Sequence, residues 1–300
     1  MPSKRIITGE AGQASGQLLL VPWWSFTKTV LAGAVLALAA RRRLDLDEPI
    51  KGMQYSLRNL LQHTSGLPDY GGMADYQAAV AAGEKPWSRD KLLERMKLDK
   101  LLFEPGCSWS YSNIGYLIVR QIIERTTGLG LDESIRGLLF DPLGIEGAFV
   151  AASIGDLERT VWGNERRYDP GWVYHGLVVG SPSAAASFLH GLLFGALLPA
   201  YLKTEMLNPV SAGGPFPGRP FVAPSYGLGV MMDPKNQLGL VVGHTGQGPG
   251  STAAVYSFPG FEEPRTLAAF IDNDDAEASG ALEMHLQNLV SSDGTRGPSD

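Results

Sequence analysis

The sequence has one cysteine, Cys107, among its 300 residues, and it has five histidines. A single thiol excludes an internal disulfide and a thiolate-bound metal cluster. Cys107 lies in a turn-like segment, Glu104–Ser108, and no neighbour in the sequence suggests an activated thiolate. His190 and His285 have no ligand partner at metal spacing. We therefore predict a protein without a metal site or a cofactor.

The sequence also has no excess of positive charge. It contains 25 lysines and arginines and 31 aspartates and glutamates, so the formal net charge is −6. A surface with this balance repels phosphate backbones and anionic lipids. The one basic run, 41–43, directly follows an apolar stretch, where it suits the negative end of a helix dipole. Neither a nucleic acid nor a membrane is therefore an expected partner.

No apolar run reaches the length of a membrane-spanning helix, which is about 20 residues. The longest runs are Val30–Ala40 and Phe188–Leu202, and His190 interrupts the second. Residues 1–10 include an acidic residue and lack the apolar core of a secretory signal. These absences predict buried helices in a soluble, cytoplasmic protein, unless a leader has been removed.

Several common motifs are missing as well. Gly246, Gly248 and Gly250 are spaced like a phosphate loop, but no Lys-Ser or Lys-Thr pair follows and the next residues are typical of a strand. The acidic run 272–275 lacks the ligand spacing of a calcium loop, and we interpret it as a solvated turn before the last helix. No Gly-x-Ser-x-Gly occurs, so an α/β-hydrolase is not expected.

The pattern of apolar residues predicts helices mainly in the first two thirds of the chain and strands in the last third. The helices are expected at Ser25–Arg43, Ser56–Gly66, Arg89–Leu101, Ile114–Thr127, Pro182–Leu202 and Asp275–Leu289. The strands are expected at Gln17–Val21, Tyr226–Met232, Leu238–Gly243, Thr252–Phe258 and Thr266–Ile271, with turns at 233–236 and 259–262. The last four strands are predicted to form an antiparallel meander. The polar tail Ser291–Asp300 is expected to be disordered.

These elements indicate an α/β fold of the α+β type, with an antiparallel sheet flanked by helices. In the expected arrangement, residues 1–55 and 215–300 form a discontinuous sheet domain. Residues 56–214 are inserted as a mainly helical subdomain. A crevice between the two parts is the expected place for an active site.

The most informative local feature is Ser25, which is followed three residues later by Lys28 and then by the apolar stretch Thr29–Ala40. A helix places residues three apart on one face, so this hydroxyl and this amine can lie side by side at a buried helix start. A desolvated amine loses its proton near neutral pH and can then accept one from a serine. The backbone N–H of Ser25 can also serve as an oxyanion donor.

Two later segments contain the remaining groups that acyl transfer needs, which are a proton path and further oxyanion donors. Tyr111 and Asn113 lie two residues apart before a predicted helix and can bring a phenol and an amide to one place. The other segment is glycine-rich, follows the predicted strand 238–242, and consists of His244, Thr245, Gly246 and Gln247. A glycine there lets a substrate approach the strand closely. Together these residues predict a serine hydrolase that works through an acyl-enzyme.

In this order, the segments resemble the three motifs of the serine β-lactamase and penicillin-binding-protein superfamily. The motifs are Ser25-Phe26-Thr27-Lys28, Tyr111-Ser112-Asn113 and His244-Thr245-Gly246. Supporting stretches are Leu44-Asp45-Leu46-Asp47-Glu48-Pro49, residues 60–68, Phe103-Glu104-Pro105-Gly106 and Tyr226-Gly227-Leu228-Gly229. The resemblance extends roughly over residues 18–290 and is nearest to the branch with class C β-lactamases, D-alanyl-D-alanine carboxypeptidases and family VIII-type esterases. It implies a β-lactamase/transpeptidase-like fold.

The resemblance also implies roles for individual residues. Ser25 would be the acylated nucleophile, and Lys28 its base or base-assistant. Tyr111 would act as a general base and pass a proton to the leaving group, and whether Lys28 or Tyr111 takes the first proton stays open. Asn113 would bind a substrate carbonyl or amide. The strand would contribute substrate-binding residues, His244, Thr245 and Gly246, and the N–H of Gln247 would complete the oxyanion hole with that of Ser25.

Two features depart from the pattern of this superfamily, and one further residue is a candidate for lining the cleft. His244 stands where class C β-lactamases have lysine, and a neutral imidazole holds a carboxylate less well than an ammonium does. Trp24, next to the nucleophile, is bulky and is a candidate for lining the cleft, although core packing is the simpler interpretation. His175 lies in a loop that is a second candidate for lining the cleft.

We therefore predict an esterase or amidase that acts on a small ester or amide, with no prediction of its oligomeric state. One alternative is a D-alanyl-D-alanine carboxypeptidase, a D-aminopeptidase-like peptidase or a weak class C-like β-lactamase. Apparent lack of export argues against a cell-wall substrate. A catalytically silent relative used for binding is the remaining alternative, and the completeness of all three motifs argues against it.

Overall fold

The computed structural model describes residues 5–13, 19–96, 98, 100–163 and 167–292. The strands are β1 (Ile6–Glu10), β2 (Val21–Pro22), β3 (Phe149–Val150), β4 (Val178–Gly180), β5 (Val210–Ser211), β6 (Ser225–Tyr226), β7 (Met231–Asn236), β8 (Gly239–Gly248), β9 (Ser251–Phe258) and β10 (Arg265–Ile271). The helices are α1 (Thr27–Ala40), α2 (Leu57–Leu61), α3 (Ala74–Ala81), α4 (Arg89–Met96), α5 (Asn113–Thr127), α6 (Leu131–Ile135), α7 (Asp141–Leu143), α8 (Ile154–Glu158), α9 (Pro182–Phe194), α10 (Ala200–Met206) and α11 (Ala278–Ser292). Short 3-10 turns occur at Trp24–Phe26 and Pro170–Trp172, and a π-helical turn occurs at Arg136–Phe140.

The main sheet is antiparallel, with the strand order β1-β10-β9-β8-β7-β6-β5, and β2, β4 and β3 form a smaller sheet. Helix α9 packs on β1, β9 and β10, and α11 packs on β8, β9 and β10. With both faces covered, β9 is buried over its whole length. Its side chains alternate, so that Val255 joins the larger core while Tyr256 packs with Leu282 of α11. The structure confirms the predicted antiparallel sheet flanked by helices.

Helix α1 is buried from Thr27 to Leu38, as predicted for the apolar stretch behind Lys28. It packs against α5, while the 3-10 turn ahead of it packs on β8 and β9. Ser25 belongs to this turn and not to the first helical residues, and the helix ends at Ala40 rather than at Arg43. The turn therefore places Ser25 where the start of a buried helix meets the sheet.

Side-chain caps set the ends of two predicted helices. The Oγ of Ser56 accepts a hydrogen bond from the N–H of Asn59 at 3.3 Å, and the N–H of Ser56 donates to Asn59 Oδ1 at 3.0 Å, which starts α2. The Oγ of Ser112 accepts from the N–H of Gly115 at 3.1 Å, which starts α5. Gly128 ends α5 with a φ of 77°, a conformation that glycine adopts without strain. Both local predictions, the cap at Ser56 and the end at Gly128, are confirmed.

Besides α1, three predicted helices are too long, and one of them, Arg89–Leu101, is described as α4 over Arg89–Met96. The predicted helix Pro182–Leu202 is divided into α9 and α10, because Gly195 leaves the helix in an extended conformation and Pro199 precedes the next one. Helix α2 ends at Leu61, before the expected Gly66. Apolar periodicity continues across these breaks although the backbone does not. Within the described residues, no helix combines the length and apolar character that crossing a membrane would require.

Three features of the strands also differ from the prediction. The expected strand Tyr226–Met232 is divided into β6 and β7, which pair with each other. The expected turn at 233–236 is part of β7, which pairs with β8 across a register irregularity between Asp233 and Asn236. Strand β8 extends to Gly248, so the segment 244–247 lies within the strand and not after it. The glycines at 246 and 248 argued against extending the predicted strand, because glycine is usually depleted in strands.

Two predictions fall partly outside the described residues. Of the first expected strand, residues 17–18 lie outside them, and the strand that is described is β2, Val21–Pro22. Of the expected tail, residues 293–300 lie outside them, whereas Ser291 and Ser292 end α11.

The main sheet takes in parts of the chain that we expected in the helical subdomain. Strand β5 pairs with β6 through Val210 and Tyr226, and α9 packs on three strands of the same sheet. Both elements lie within 56–214. Strand pairing over this distance is not visible in local composition. The predicted division of the chain into two parts stays a prediction.

An ion pair between Arg219 and Glu283 joins the loop before β6 to α11. The side chain of Glu283 is 1% exposed, and its Oε1 also accepts a hydrogen bond from Tyr256 OH at 2.9 Å. Arg219 Nη2 in turn donates to Thr245 Oγ1 on β8 at 3.1 Å. The guanidinium therefore connects a buried carboxylate to the strand of the third motif.

Arg219→Ala is expected to lower the free energy of unfolding by about 3 kcal/mol, because it leaves Glu283 buried without its counter-charge. Urea unfolding followed by circular dichroism measures this change. Arg136→Ala is the matched control, because its ion pair with Asp132 is exposed and such pairs are worth about 0.5 kcal/mol. Equal stability of the two variants would contradict the prediction.

Candidate active site

A crevice of about 190 Å³ opens beside Ser25. It lies between the 3-10 turn before α1, the segment 70–76, the start of α5, the loop before β4, and the end of β8. Most of its walls are aromatic or small, and they comprise Trp24, Tyr70, Gly71, Tyr76, Asn113, Tyr168, Trp172, Val173, His175, Gln247, Gly248 and Pro249. The crevice therefore offers an aromatic cleft with several polar groups near the hydroxyl of Ser25.

The backbone at Ser25 is held in an unusual conformation. Trp24, directly before it, has a φ of 45°, which is costly for a bulky residue and is found mainly at functional sites. A Cβ on Gly246 would lie 2.5 Å from the N of Ser25, and a Cβ on Gly248 would lie 2.3 Å from the Trp24 ring. Glycine at both positions thus lets β8 press directly on this turn. The peptide of Ser25 is fixed between helix and strand.

Lys28 lies one turn after Ser25, and the structure brings their side chains together. The Nζ of Lys28 is 3.2 Å from Ser25 Oγ and donates to Asn113 Oδ1 at 2.7 Å. Lys28 is fully buried, and this burial lowers its pKa from 10.5 to about 7, while the charge of Asp69 opposes the shift. A substantial part of Lys28 is therefore a neutral amine at neutral pH, beside the hydroxyl of Ser25.

Tyr111 approaches Ser25 from the other side. Its OH donates to Ser25 Oγ at 3.0 Å, across 86 residues of sequence. Burial raises the pKa of Tyr111 well above its ordinary value, so the phenol keeps its proton at neutral pH. The ring lies 4.3 Å from that of His63, which fills the space behind it. Of the two groups next to Ser25, only Lys28 titrates near neutral pH.

Asn113 is the first residue of α5, whereas we expected it on the loop before the helix. Its N–H donates to Asp69 Oδ1 at 2.7 Å. Ser112, the cap of the helix, is held by the same neighbouring segment, because its N–H donates to His63 Nδ1 at 3.1 Å and its Oγ donates to Pro68 O at 2.8 Å. The second motif is thus anchored on residues 63–69, which the sequence did not identify as part of the site.

The side chains of His244 and Thr245 do not reach the surface of the crevice, although we predicted both as substrate contacts. His244 is fully buried, and its Nε2 is 2.7 Å from the OH of Tyr226. Burial lowers the pKa of His244 to about 3, so the imidazole is neutral. Thr245, the next residue on the strand, points to the opposite face of the sheet and accepts a hydrogen bond from Arg219. Of the three motif residues, only Gly246 lies against Ser25.

The remaining predicted residues do line the crevice. Gln247 is at its edge, and its side chain donates to Asp275 O at 2.8 Å. Trp24 is 4% exposed, and its Nε1 donates to Ser251 Oγ at 2.8 Å, so it serves both as a wall and as part of the core. His175 is 3% exposed, and its Nε2 is 3.2 Å from Lys28 Nζ.

The sequence reasoning missed several residues of the site. The aromatic wall contains Tyr70, Tyr76, Tyr168 and Trp172, none of which stands in a motif with fixed spacing. Tyr226 contacts His244, and it lies in one of the stretches that carried the resemblance, which was the one available signal. A second cavity of about 380 Å³ adjoins the crevice across Trp24, Tyr168 and Pro249. The acidic run 272–275 lines this second cavity.

Comparison with known protein sequences gives three results. A family model described as Beta-lactamase matches residues 9–260. Penicillin-binding protein 4* of Bacillus subtilis (strain 168) is 32% identical over 111 residues, which are 33% of this chain and 23% of that protein. Esterase EstB of Burkholderia gladioli is 30% identical over 164 residues, which are 48% of this chain and 42% of that protein. The chain therefore aligns with less than half the length of each of these two relatives.

A solved structure extends the likeness to nearly the whole chain. The D-stereospecific amidohydrolase from Streptomyces sp. superimposes with a TM-score of 0.77 at 23% sequence identity. The match covers 96% of this chain and 93% of that one. At this identity, the likeness shows a shared fold.

Proposed function

Because the chain belongs to the Beta-lactamase family, we propose that it is a serine hydrolase whose Ser25 is acylated by small ester or amide substrates. The family model over residues 9–260 confirms the resemblance and the β-lactamase/transpeptidase-like fold that the three motifs predicted. The observation that carries the proposal is the contact of Ser25 Oγ with Lys28 Nζ at 3.2 Å and with Tyr111 OH at 3.0 Å, beside an open crevice.

The proposed reaction begins with Lys28 as the proton acceptor. The neutral amine takes the proton of Ser25 while the Oγ forms a bond to the carbonyl carbon of the substrate. The N–H groups of Ser25 and Gln247 are proposed to hold the oxyanion. Tyr111 supplies a proton to the leaving oxygen or nitrogen, and the ammonium of Lys28 restores the phenol. Water then releases the acid from Ser25.

The residues that line the crevice favour a substrate without a negative charge. None of its described lining residues is a lysine or an arginine, and His244 is neutral and buried behind the strand. A substrate with an essential carboxylate would lack a fixed cation, which argues against a β-lactamase-type substrate. The name of the relative EstB supports an esterase. The name of penicillin-binding protein 4* keeps a D-alanyl-D-alanine peptidase as the second candidate.

Intact-mass analysis after treatment with an alkyl fluorophosphonate tests the proposal. One adduct is expected, with a bond from phosphorus to Ser25 Oγ and loss of fluoride, because the hydroxyl lies beside a neutral amine. Peptide mapping should place the adduct on Ser25. Ser108→Ala is the matched control, because Ser108 lies on the surface outside the crevice, and it should label like the wild type.

A substrate panel distinguishes the two candidates. Short-chain p-nitrophenyl esters should turn over, while D-Ala-D-Ala peptides and nitrocefin should turn over slowly or not at all. Rapid release of D-alanine, or a stable penicillin adduct on Ser25, would favour the peptidase. Absence of any fluorophosphonate adduct on folded protein would reject the serine hydrolase.

A further inference from the structure

Lys28 has a third partner that none of the three motifs supplies. Besides Ser25 Oγ and Asn113 Oδ1, its Nζ lies 3.2 Å from the Nε2 of His175. His175 is 147 residues away in sequence, in the loop between the 3-10 turn 170–172 and β4. Its ring is buried, so this contact is shielded from water.

The third contact limits how the N–H bonds and the lone pair of Lys28 Nζ can be distributed over its three neighbours. A lysine ammonium has three N–H bonds, and the three acceptors around Nζ match them. A neutral amine has two N–H bonds and one lone pair. Asn113 Oδ1 can only accept, so it takes one N–H. If His175 Nε2 takes the other, the lone pair is directed at Ser25 Oγ, which is the orientation that proton abstraction requires.

This arrangement needs the proton of the imidazole on Nδ1, and the structure favours that tautomer. Burial and the nearby charge of Lys28 lower the pKa of His175 well below its ordinary value, so the ring is neutral. While Lys28 is an ammonium, a proton on Nε2 would face another donor. Among the described residues, Nδ1 has no hydrogen-bond partner, so the contact with Lys28 decides which ring nitrogen carries the proton.

The loop that carries His175 is attached to the residues on either side of Ser25. The N–H of Val178 donates to Thr27 Oγ1 at 3.0 Å, and the carbonyl of Val178 accepts from the N–H of Trp23 at 2.8 Å. Gly176 allows the turn between them with a φ of 97°. The imidazole is therefore held at a fixed position relative to Lys28.

We propose that His175 is a positioning residue, which accepts an N–H of Lys28 and thereby directs the lone pair of the amine at Ser25. The proposal rests on the proposed serine hydrolase function and adds a residue to it. His175 acts through Lys28 and does not exchange a proton with the substrate. The other titratable or charged groups that face Lys28 or His175 are His63, Asp69, Tyr111, Tyr116, Arg120 and His244.

Three variants at one position separate the acceptor from the bulk of the ring. His175→Gln keeps an acceptor near the position of Nε2, because the end of the glutamine amide reaches as far as that atom. His175→Leu keeps the volume without an acceptor. His175→Asn is polar but ends near the position of Nδ1, so it is too short to reach Nζ. The asparagine variant keeps the test valid if leucine impairs folding.

The measurement is the pH dependence of kcat and KM for p-nitrophenyl butyrate, with thermal unfolding of each variant as the check on folding. The leucine and asparagine variants are expected to lose about 10- to 100-fold in kcat with little change in KM, because a misdirected base costs rate and not binding. The midpoint of their acid limb should move to lower pH, because the ammonium has lost an acceptor. The glutamine variant should stay within about fivefold of the wild type in kcat.

Two outcomes would overturn the proposal. One is wild-type kcat and an unmoved midpoint in folded leucine or asparagine variants. The other is a folded glutamine variant as slow as the asparagine variant. Fluorophosphonate labelling of the wild type separates these failures from failure of the proposed function. If Ser25 is labelled, only the role of His175 is rejected, and if it is not, the hydrolase itself is rejected.

Discussion

Ser25→Ala is expected to lower kcat for p-nitrophenyl butyrate by at least about four orders of magnitude, because loss of a serine nucleophile removes the covalent route altogether. The remaining activity would come from binding and from the oxyanion donors alone. KM should change little, since the methyl group of alanine fits where the Cβ of serine already lies. Steady-state kinetics with purified protein, extended to long reaction times, measures the loss.

The structure provides a control for this experiment. Ser108→Ala changes an exposed serine outside the crevice and should leave kcat unchanged. Ser108→Ala should unfold at the temperature of the wild type, whereas Ser25→Ala removes the acceptor of Tyr111 OH and should stay folded but unfold at a slightly lower temperature. Turnover by the Ser25→Ala variant within tenfold of the wild type would mean that the ester is cleaved elsewhere, and the proposed acyl-enzyme would be wrong.

The parts of the fold that depend on local chemistry could be predicted from the sequence. The buried stretch of α1, the cap at Ser56 and the end of α5 at Gly128 each depend on residues within one or two turns. The predicted helix boundaries are wrong where the chain stays apolar although its backbone leaves the helix. The division between α9 and α10 at Gly195 and Pro199 is one example, since the residues around it stay apolar.

The candidate site shows the same limit. The contact between Ser25 and Lys28 follows from a spacing of three residues, so periodicity alone predicts it. Tyr111 was placed beside Ser25 only through the resemblance, because the two are 86 residues apart. Asp69 and His175 had no signal of this kind, since they reach Asn113 and Lys28 across 44 and 147 residues. Contacts of this range are decided by the tertiary fold.

The third motif shows how one boundary error misplaces side chains. We expected the strand to end before His244, with the motif directly after it and the side chains of His244 and Thr245 facing the substrate. Strand β8 instead runs through it, so successive side chains alternate between the two covered faces of the sheet. His244 is therefore directed at Tyr226 and Thr245 at Arg219. At Ser25 the strand contributes the backbone of Gly246, which has no side chain.

Lys28→Met is expected to lower kcat for p-nitrophenyl butyrate by about 10³-fold, the usual size of a general base contribution. Methionine has nearly the same length and stays buried, but it cannot accept the proton of Ser25. In the wild type, kcat/KM should rise as the pH increases through about 7, where the amine loses its proton. The variant should lack this limb. A wild-type pH profile that is flat between pH 5.5 and 8.5 would argue that Lys28 is not the base.

The same substitution should stabilise the protein, because the pKa of Lys28 is about 7 when folded and about 10.5 when unfolded. Below pH 7 both states are charged, so the full cost of burying the ammonium is present and Lys28→Met should gain on the order of 5 kcal/mol. Between pH 7 and 10.5 the unfolded state binds more protons, so the wild type gains stability and the difference shrinks. Urea unfolding at pH 6 and pH 9 measures this, with the exposed Lys235→Met as control. A gain that does not fall with pH would mean that Lys28 is charged in the folded protein, and the amine could not then serve as the base for Ser25.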